Sequence, residues 1–490
     1  MQLATWAQTL PVILMIVLAV YLPGSIVGLL AGRRGVDLVA LAPVISIAIA
    51  GVGGVVVYPL GVRWGWGAYL LGAALVALVV FATRTTLAHV RGQSHAWWPG
   101  EAAALRPAGT AEVTSAAEPT GSARGRLAWL PATTGVAVAL TTIAVRFIRA
   151  VPSPDQVTQN YDSVFHDNIV ARIIITGEAS SLHALPPIRD VYPIAFQQFA
   201  ALGALAVPLT TATAAVTAAW LVFAALIWPC SMLFGVRRVC GAHPLTDVLG
   251  PALSAVCAGF PFLLVDWGTL YSMFAGQVVL PVFLGLAWTW CRDTWARGAR
   301  AAWSGLGWVA VAAIAVSVCH FRVMMTGMLL LVPVLLVWAY DALRTVRQRS
   351  KVAFRSIVIL AALAVAGVLA LGVRIFANMY LRGNSRPIAD HLNGGPAQPT
   401  ENLLSAVLRY ALGQPINAAN QRMAVYWPVA VLVLAALLLA LVVHSRESLM
   451  LAGSFVLLGF VFVSSAGTHA DWAKVVTALW YKDQRRLFAA

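Results

Sequence analysis

Apolar runs of about 17 to 25 residues recur along this chain, separated by shorter polar or basic stretches. A hydrocarbon core of ~30 Å asks this length of a helix rising 1.5 Å per residue. The pattern predicts about twelve spans, over 9–31, 37–57, 64–83, 127–147, 212–235, 246–265, 273–291, 302–320, 326–342, 356–375, 427–443 and 449–465. Ten-residue segments of alternating polarity are absent, which excludes a membrane β-barrel. The expected fold class is an all-α polytopic membrane helix bundle. The first span has no charged leader and no small-residue cleavage site, so it reads as a retained helix.

The runs group into three regions. Residues 1–83 carry three N-terminal spans, and 84–126 are rich in Ala, Gly, Pro, Ser and Thr, the composition of a flexible linker. Residues 127–490 form the remaining membrane core, with long polar segments at 148–192, 376–426 and 466–490. The apolar stretch 193–207 is too short to cross and is expected to lie in, or dip into, the outer interface.

Composition agrees: 60% of residues are hydrophobic and 10% charged, too apolar for a soluble chain of 490 residues. The formal net charge of +15 does not point to nucleic acid, because the cations are scattered between spans rather than gathered on one soluble domain. They orient the bundle instead. Arg33, Arg34, Arg237, Arg238, Arg292, Arg297, Arg300 and the cluster from Arg344 to Arg355 fall on one side if spans alternate, while the opposite short loops hold Arg63 and Arg322. The positive-inside rule puts the first group in the cytoplasm and the N-terminus outside. The long outer segments nonetheless carry many cations, as an anion-binding outer surface would. The five cysteines form no CxxC pair, so neither a metal site nor a disulfide framework is expected.

The candidate chemistry lies in the run Asn160–Asn168, a cluster of acids and a histidine directly after a span. Asp162 and His166 are spaced i, i+4 and share a face if 163–176 is helical, with Ile169 or Val170 and Ile173 continuing it. A carboxylate beside an imidazole can take a proton from a hydroxyl, and the imidazole can hold a second proton or a phosphate. The same residues also suit plain structure: Asp162 as a helix cap, His166 as a wet interfacial side chain. Asp155, earlier in the loop, is the rival catalytic acid. Asp167 points off the shared face and reads as a solvated charge or a metal-side ligand. Tyr161 and Arg172 flank the cluster as substrate contacts.

Further binding candidates are His320 and Arg322 at an outer span end, beside the turn holding Asp266, Trp267 and Tyr271. The terminal run with Tyr481, Lys482, Arg485 and Arg486 combines rings and cations that suit a sugar-phosphate headgroup or a helix anchored on anionic lipid. No GxGxxG, Walker loop, GxSxG or HExxH is present in a usable context. Gly51, Gly53 and Gly54 read as packing positions within a span.

A span at 127–147, a loop carrying Asp155 and Asp162, and the stretches 163–176 and 193–207 together resemble the GT-C membrane glycosyltransferases. The resemblance is architectural and covers roughly 127–490. Tyr161-Asp162 with Phe165-His166, Tyr192-Pro193, Trp267-Gly268 with Tyr271, and Trp480-Tyr481 ahead of Arg486 more closely resemble a large actinobacterial integral-membrane family of unknown function. Where that resemblance leads one to expect a His after Tyr192-Pro193, the chain has Gln197 and Gln198. It also implies further spans past Ala490, so the chain reads as a shortened member.

The resemblance implies a plasma-membrane enzyme with an outward-facing site. It would move a sugar from a polyprenyl-phosphate donor to a glycan or glycolipid acceptor, among membrane lipids and without nucleic acid. Asp162 or Asp155 would be the general base, and His166 with nearby arginines would hold the donor phosphate. No cofactor is required; a divalent metal ion is compatible, although no ligand cluster demands it. A transporter or flippase of a lipid-linked precursor, and a non-catalytic envelope scaffold, are the competing expectations.

Overall fold

The structure is a computed structural model and describes residues 5–90, 129–158, 161–264, 268–376, 399–417, 421–480 and 482–489. Most of the expected linker, together with Asp266, Trp267 and Tyr481, lies outside these residues. The described elements are helical, with two isolated β-bridges at Leu185–Arg189 and Ile416–Arg422. Ten helices among them are long and apolar enough to cross a membrane. The expected spans 302–320 and 427–443 are present as the shorter apolar helices Gly305–Cys319 and Trp427–Val443. All twelve expected spans thus have an apolar helical counterpart among the described residues, ten of them of full crossing length.

The chain divides into two compact units, Met1–Gly327 and Met328–Ala490. In the first, α1 (Trp6–Leu30), α2 (Gly35–Val57), α3 (Trp66–Val90) and α4 (Leu130–Ala150) surround shorter elements. These are α5 (Tyr161–Thr176), α6 (Ala195–Ala206), α7 (Ala212–Val222), α8 (Trp228–Cys240) and α9 (Pro244–Ser254). A π-helical turn, Phe223–Ile227, joins α7 to α8. The N-terminal three helices pack within this unit, not apart from it: α1 lies against α2, α6 and α7.

The next helical run, α10 (Tyr271–Cys319), has 49 residues but is not straight. A Cβ on Gly305 would meet Trp290 Cδ1 at 2.8 Å. A straight helix would hold those positions about 22 Å apart. The run therefore doubles back through the Arg292–Arg300 corner, and its two arms are the two expected spans around a helical bend instead of a loop.

The most buried element is α6. Its residues Ala195 through Leu202 are fully buried, enclosed by α1, α2, α5, α7 and α10, so this stretch, expected in or dipping into the outer interface, is covered by protein on every side. Its two polar side chains, Gln197 and Gln198, are buried with hydrogen-bond partners from neighbouring elements, so no face is left to turn toward water. Lipid tails are as apolar as Leu, so close packing by small residues holds such a helix in place. Gly203 shows this: a Cβ there would strike Ile16 Cγ1 at 2.6 Å.

The two ends of this unit are chemically distinct. At one end Asp37 holds Arg33 (3.6 Å) and Arg238 (2.5 Å), Asp247 takes Arg237 through two 2.6 Å hydrogen bonds, and Arg33 lies over the Trp308 ring. At the other, Trp6 Nε1 donates to Val151 O (2.9 Å), Arg63 to Ile175 O (2.8 Å) and Trp64 N to Gly177 O (2.7 Å). Arg33, Arg237 and Arg238 thus gather at one end of this unit, and the chain start, the 58–65 turn and the 151–177 segment at the other.

The second unit contains the rest of α11 (Phe321–Arg349), then α12 (Lys351–Phe376), α13 (Leu403–Ala411), α14 (Trp427–Val443), α15 (Arg446–Gly467), α16 (Asp471–Thr477) and α17 (Gln484–Phe488). Here α15 is the hub. Tyr410 of α13 donates to Phe455 O (2.8 Å), Ser454 to Leu330 O (2.7 Å), and Phe462 packs on Phe488.

Candidate functional site

Helix α5 delivers the polar run. Its buried stripe is Ser163, His166, Ile169, Val170 and Ile173, the three- and four-residue spacing of one helix face. Ser163 Oγ ties back to Thr158 O at 2.8 Å, anchoring the loop on the first turn. Asp162 stands half-buried in that turn, where a carboxylate favours the positive helix end.

His166 is 1% exposed. Gln197 Nε2 lies 2.6 Å from its Nδ1, which makes Nδ1 the acceptor and leaves the proton on Nε2. Gln197 also donates to Ser272 Oγ (3.1 Å), which donates in turn to Pro193 O (2.9 Å). The rings of Phe165, Tyr192 and Tyr271 surround the imidazole at 5.0–5.7 Å between neighbouring centroids. Burial pushes the imidazole pKa down to about 3, so it is neutral at physiological pH. His166 is therefore a buried, hydrogen-bonded residue in an aromatic box rather than a wet interfacial side chain. The pair Gln197-Gln198, which departs from the expected His, is part of this packing: Gln198 Nε2 donates to Ala179 O (2.8 Å), and a Cβ on Gly54 would meet both groups at about 2.2 Å.

The fold assembles a different acidic pair. Thr211 caps α7, accepting from Ala214 N, and donates its hydroxyl to Asp155 Oδ1. Two residues on, Thr213 Oγ1 donates to Asp167 Oδ2 at 2.8 Å. Both carboxylates thus sit on the first turn of one helix, whose dipole favours negative charge. Asp167 is half-buried, and its Oδ1 is buried with no hydrogen-bond partner among the described residues. Burial raises its pKa to about 6; the Thr213 hydrogen bond pulls it down, and the charge of Asp155 pushes it up. Asp167 is not a solvated charge. The pattern is that of a proton acceptor with one lone pair held ready near neutral pH. Thr211 and Thr213 carry no catalytic signature in sequence; the helix-cap spacing after Leu209 is the signal that marks them.

The other candidates lie elsewhere. Arg172 pairs with Glu178 beside Arg63. His320, 5% exposed, and Arg322 flank the break between α10 and α11, near the same end of the unit, since Val318 abuts Gly51 and Val323 abuts Gly276. Lys482, Arg485 and Arg486 belong to the second unit. No group of three or more metal-ligating side chains occurs among the described residues.

Ten apolar helices, an all-helical core and charges segregated to helix ends define a multi-pass membrane protein. Residues 17–490 match the family of unknown function DUF6541, and the chain belongs to that family. No curated protein and no solved structure matches it.

Proposed function

We propose that the protein is a membrane glycosyltransferase acting on a polyprenyl-phosphate-linked sugar at the outer face of the plasma membrane. The observation that supports this reading is the Asp155–Asp167 pair on the loop and helix after α4, with the Asp167 carboxyl at about 6 and one oxygen unpartnered. Asp167 takes the role of general base in preference to Asp162, and Asp155 tunes it. Asp167 removes the proton from the acceptor hydroxyl as that oxygen bonds to the sugar's anomeric carbon. The bond from that carbon to the phosphate oxygen breaks, and polyprenyl phosphate leaves with the electron pair.

Membranes containing the protein should form a glycoside from a polyprenyl-phosphate sugar without an ion gradient. Asp167→Asn should lower turnover by ~10²-fold, the scale of a lost general base. Normal turnover in that variant removes Asp167 from the chemistry. Outward orientation is tested in a variant with native cysteines replaced: Cys introduced at Ser181 should label with an impermeant reagent on intact cells, and Cys at Ser122 should not.

A second reading, transport of a lipid-linked precursor, is favoured by one observation. The buried short helix α6 and the π-helical turn after α7 are interruptions of the kind that line transport paths. Gradient-dependent movement of unaltered lipid, with no glycoside formed, would select it.

A further inference from the structure

The short helices of the second unit are built inside out. In α13, Leu403, Leu404, Val407 and Leu408 point outward, while Ala406 and Arg409 are buried. In α16, Trp472, Val475 and Val476 point outward at the three- and four-residue spacing of one helix face, and Leu479 follows in the next turn. These outward residues are 39% to 70% exposed. The polar groups face the other way: Arg409, Thr477, Asp483 and Gln484 are buried, and Glu401 is taken by Arg409 and Ser405. A short helix lying on a protein in water turns its apolar stripe inward and its charges outward.

Where these helices lie follows from their contacts with α15. A Cβ on Gly467 would meet Leu403 Cα at 2.9 Å, and one on Gly459 would meet Tyr410 Cε1 at 2.6 Å. The two glycines are about 12 Å apart along α15, and Leu403 and Tyr410 about 10 Å apart along α13. Helix α13 therefore runs antiparallel beside the last turns of the span instead of crossing its end. Tyr410 reaches deeper still, donating to Phe455 O (2.8 Å). The elements after α15 fold back along it as well: Trp472 stacks on Phe460 (6.1 Å between centroids, 17° between planes), and Phe488 packs edge-on against Phe462 (5.4 Å).

Helix α15 has 22 residues. Its length of about 33 Å matches a hydrocarbon core of ~30 Å, and Phe460 lies about 10 Å in from Gly467. The flanking helices thus reach acyl-chain depth. The Arg409 guanidinium, 5.1 Å from the Phe462 ring, is at that depth too. A charge there is kept when it is paired and shielded from lipid, which the outward leucines of α13 and the Glu401 carboxylate accomplish together. The outward faces also continue the bare side of α15 itself, where Val456 and Phe460 are more than half exposed.

We propose that α13 and α16 are sunk into the leaflet at the Gly467 end of α15, and that their outward faces bind lipid acyl chains. Residues 403–411 and 471–479, which the sequence places in long polar segments, then form an acyl-chain surface around a charged core. The inference concerns lipid contact alone and stands apart from turnover at Asp167.

The test uses the full chain in phosphatidylcholine nanodiscs. Nitroxide labels are placed one at a time by Leu404→Cys and Val475→Cys, with the native cysteines replaced by Ala and a wild-type thermal unfolding midpoint required. Oxygen concentrates among acyl chains, and a water-soluble nickel chelate is excluded from them. Oxygen should therefore relax both labels several-fold more than the chelate does. The order should reverse for a label placed by Glu447→Cys, an exposed position in the first turn of α15. Strong relaxation by the chelate at positions 404 and 475 would put these faces in water. Weak relaxation by both reagents would put them under another segment of the chain or a second copy. Either result overturns the proposal. The wild-type chain gives an independent reading that needs no cysteine replacement. Phosphatidylcholine carrying a diazirine in mid-chain should cross-link within 403–408 and 472–479, and adducts confined to the long spans overturn the proposal.

Discussion

The acidic pair of the first unit and the buried arginine of the second handle charge in opposite ways. Arg409, 2% exposed, is surrounded by partners: Glu401 at 2.6 Å, the Gln484 side chain, the Gln414 carbonyl and the Phe462 ring 5.1 Å away. Glu401 is itself completed by Ser405 Oγ at 2.8 Å. The network closes the junction between α13, α15 and α17, and its charge is neutralised where it is buried. Asp167 has one hydroxyl partner, one buried oxygen with none among the described residues, and a like charge nearby. A satisfied buried charge holds a fold together; an under-satisfied one next to a like charge is poised to exchange a proton.

Breaking the satisfied network should have the largest effect. Arg409→Ala leaves Glu401 buried with only the more exposed Arg422 to pair it, and should cost about 3 kcal/mol of stability. Thermal unfolding in detergent checks this, and an unchanged midpoint would mean the network contributes nothing net. His166→Ala should come next, at about 2 kcal/mol, from the cavity in the aromatic box and the Gln197 amide left without its partner. The sign of its pH dependence follows from the lowered pKa. The folded protein refuses a proton down to about 3, while the unfolded chain accepts one near 6.5. Stability from this group is complete above pH 6.5 and is lost as pH falls toward 3. The Ala variant should show a shallower acid decline in that window.

The smallest effect sharpens the comparison most. Asp155→Asn removes the like charge that helps hold Asp167 at about 6, so the Asp167 pKa should fall. A base works deprotonated, so the acidic limb of the rate profile should move to lower pH by under about one unit while the plateau changes little. A collapsed plateau with an unmoved limb would instead make Asp155 the base.

Much of the architecture was readable from residue pattern. The spans at 9–31, 37–57 and 212–235 became α1, α2 and the α7–α8 run nearly end to end, because a bilayer fixes helix length and leaves few alternatives. The apolarity of 193–207 fits an interface and a protein core equally; only the neighbours of α6 show that it is covered by other helices. The 292–300 corner was read as a loop because its arginines mark a span end, yet arginine is also a good helix former and the bend stayed helical.

Sequence alone determined that this chain carries repeated helices of membrane-crossing length, and that the polar run at the start of α5 is where acids gather. Tertiary structure decided which acids meet. Asp155 and Asp167 flank one loop, but their partners, Thr211 and Thr213, arrive some 50 residues later on the first turn of α7. Helical spacing joined Asp162 to His166 on a shared face, while packing turned that face inward and gave His166 to Gln197. Local periodicity reports what one helix presents. Proton affinity depends on the water, dipoles and charges that other helices remove or supply, and these are set only when the bundle closes.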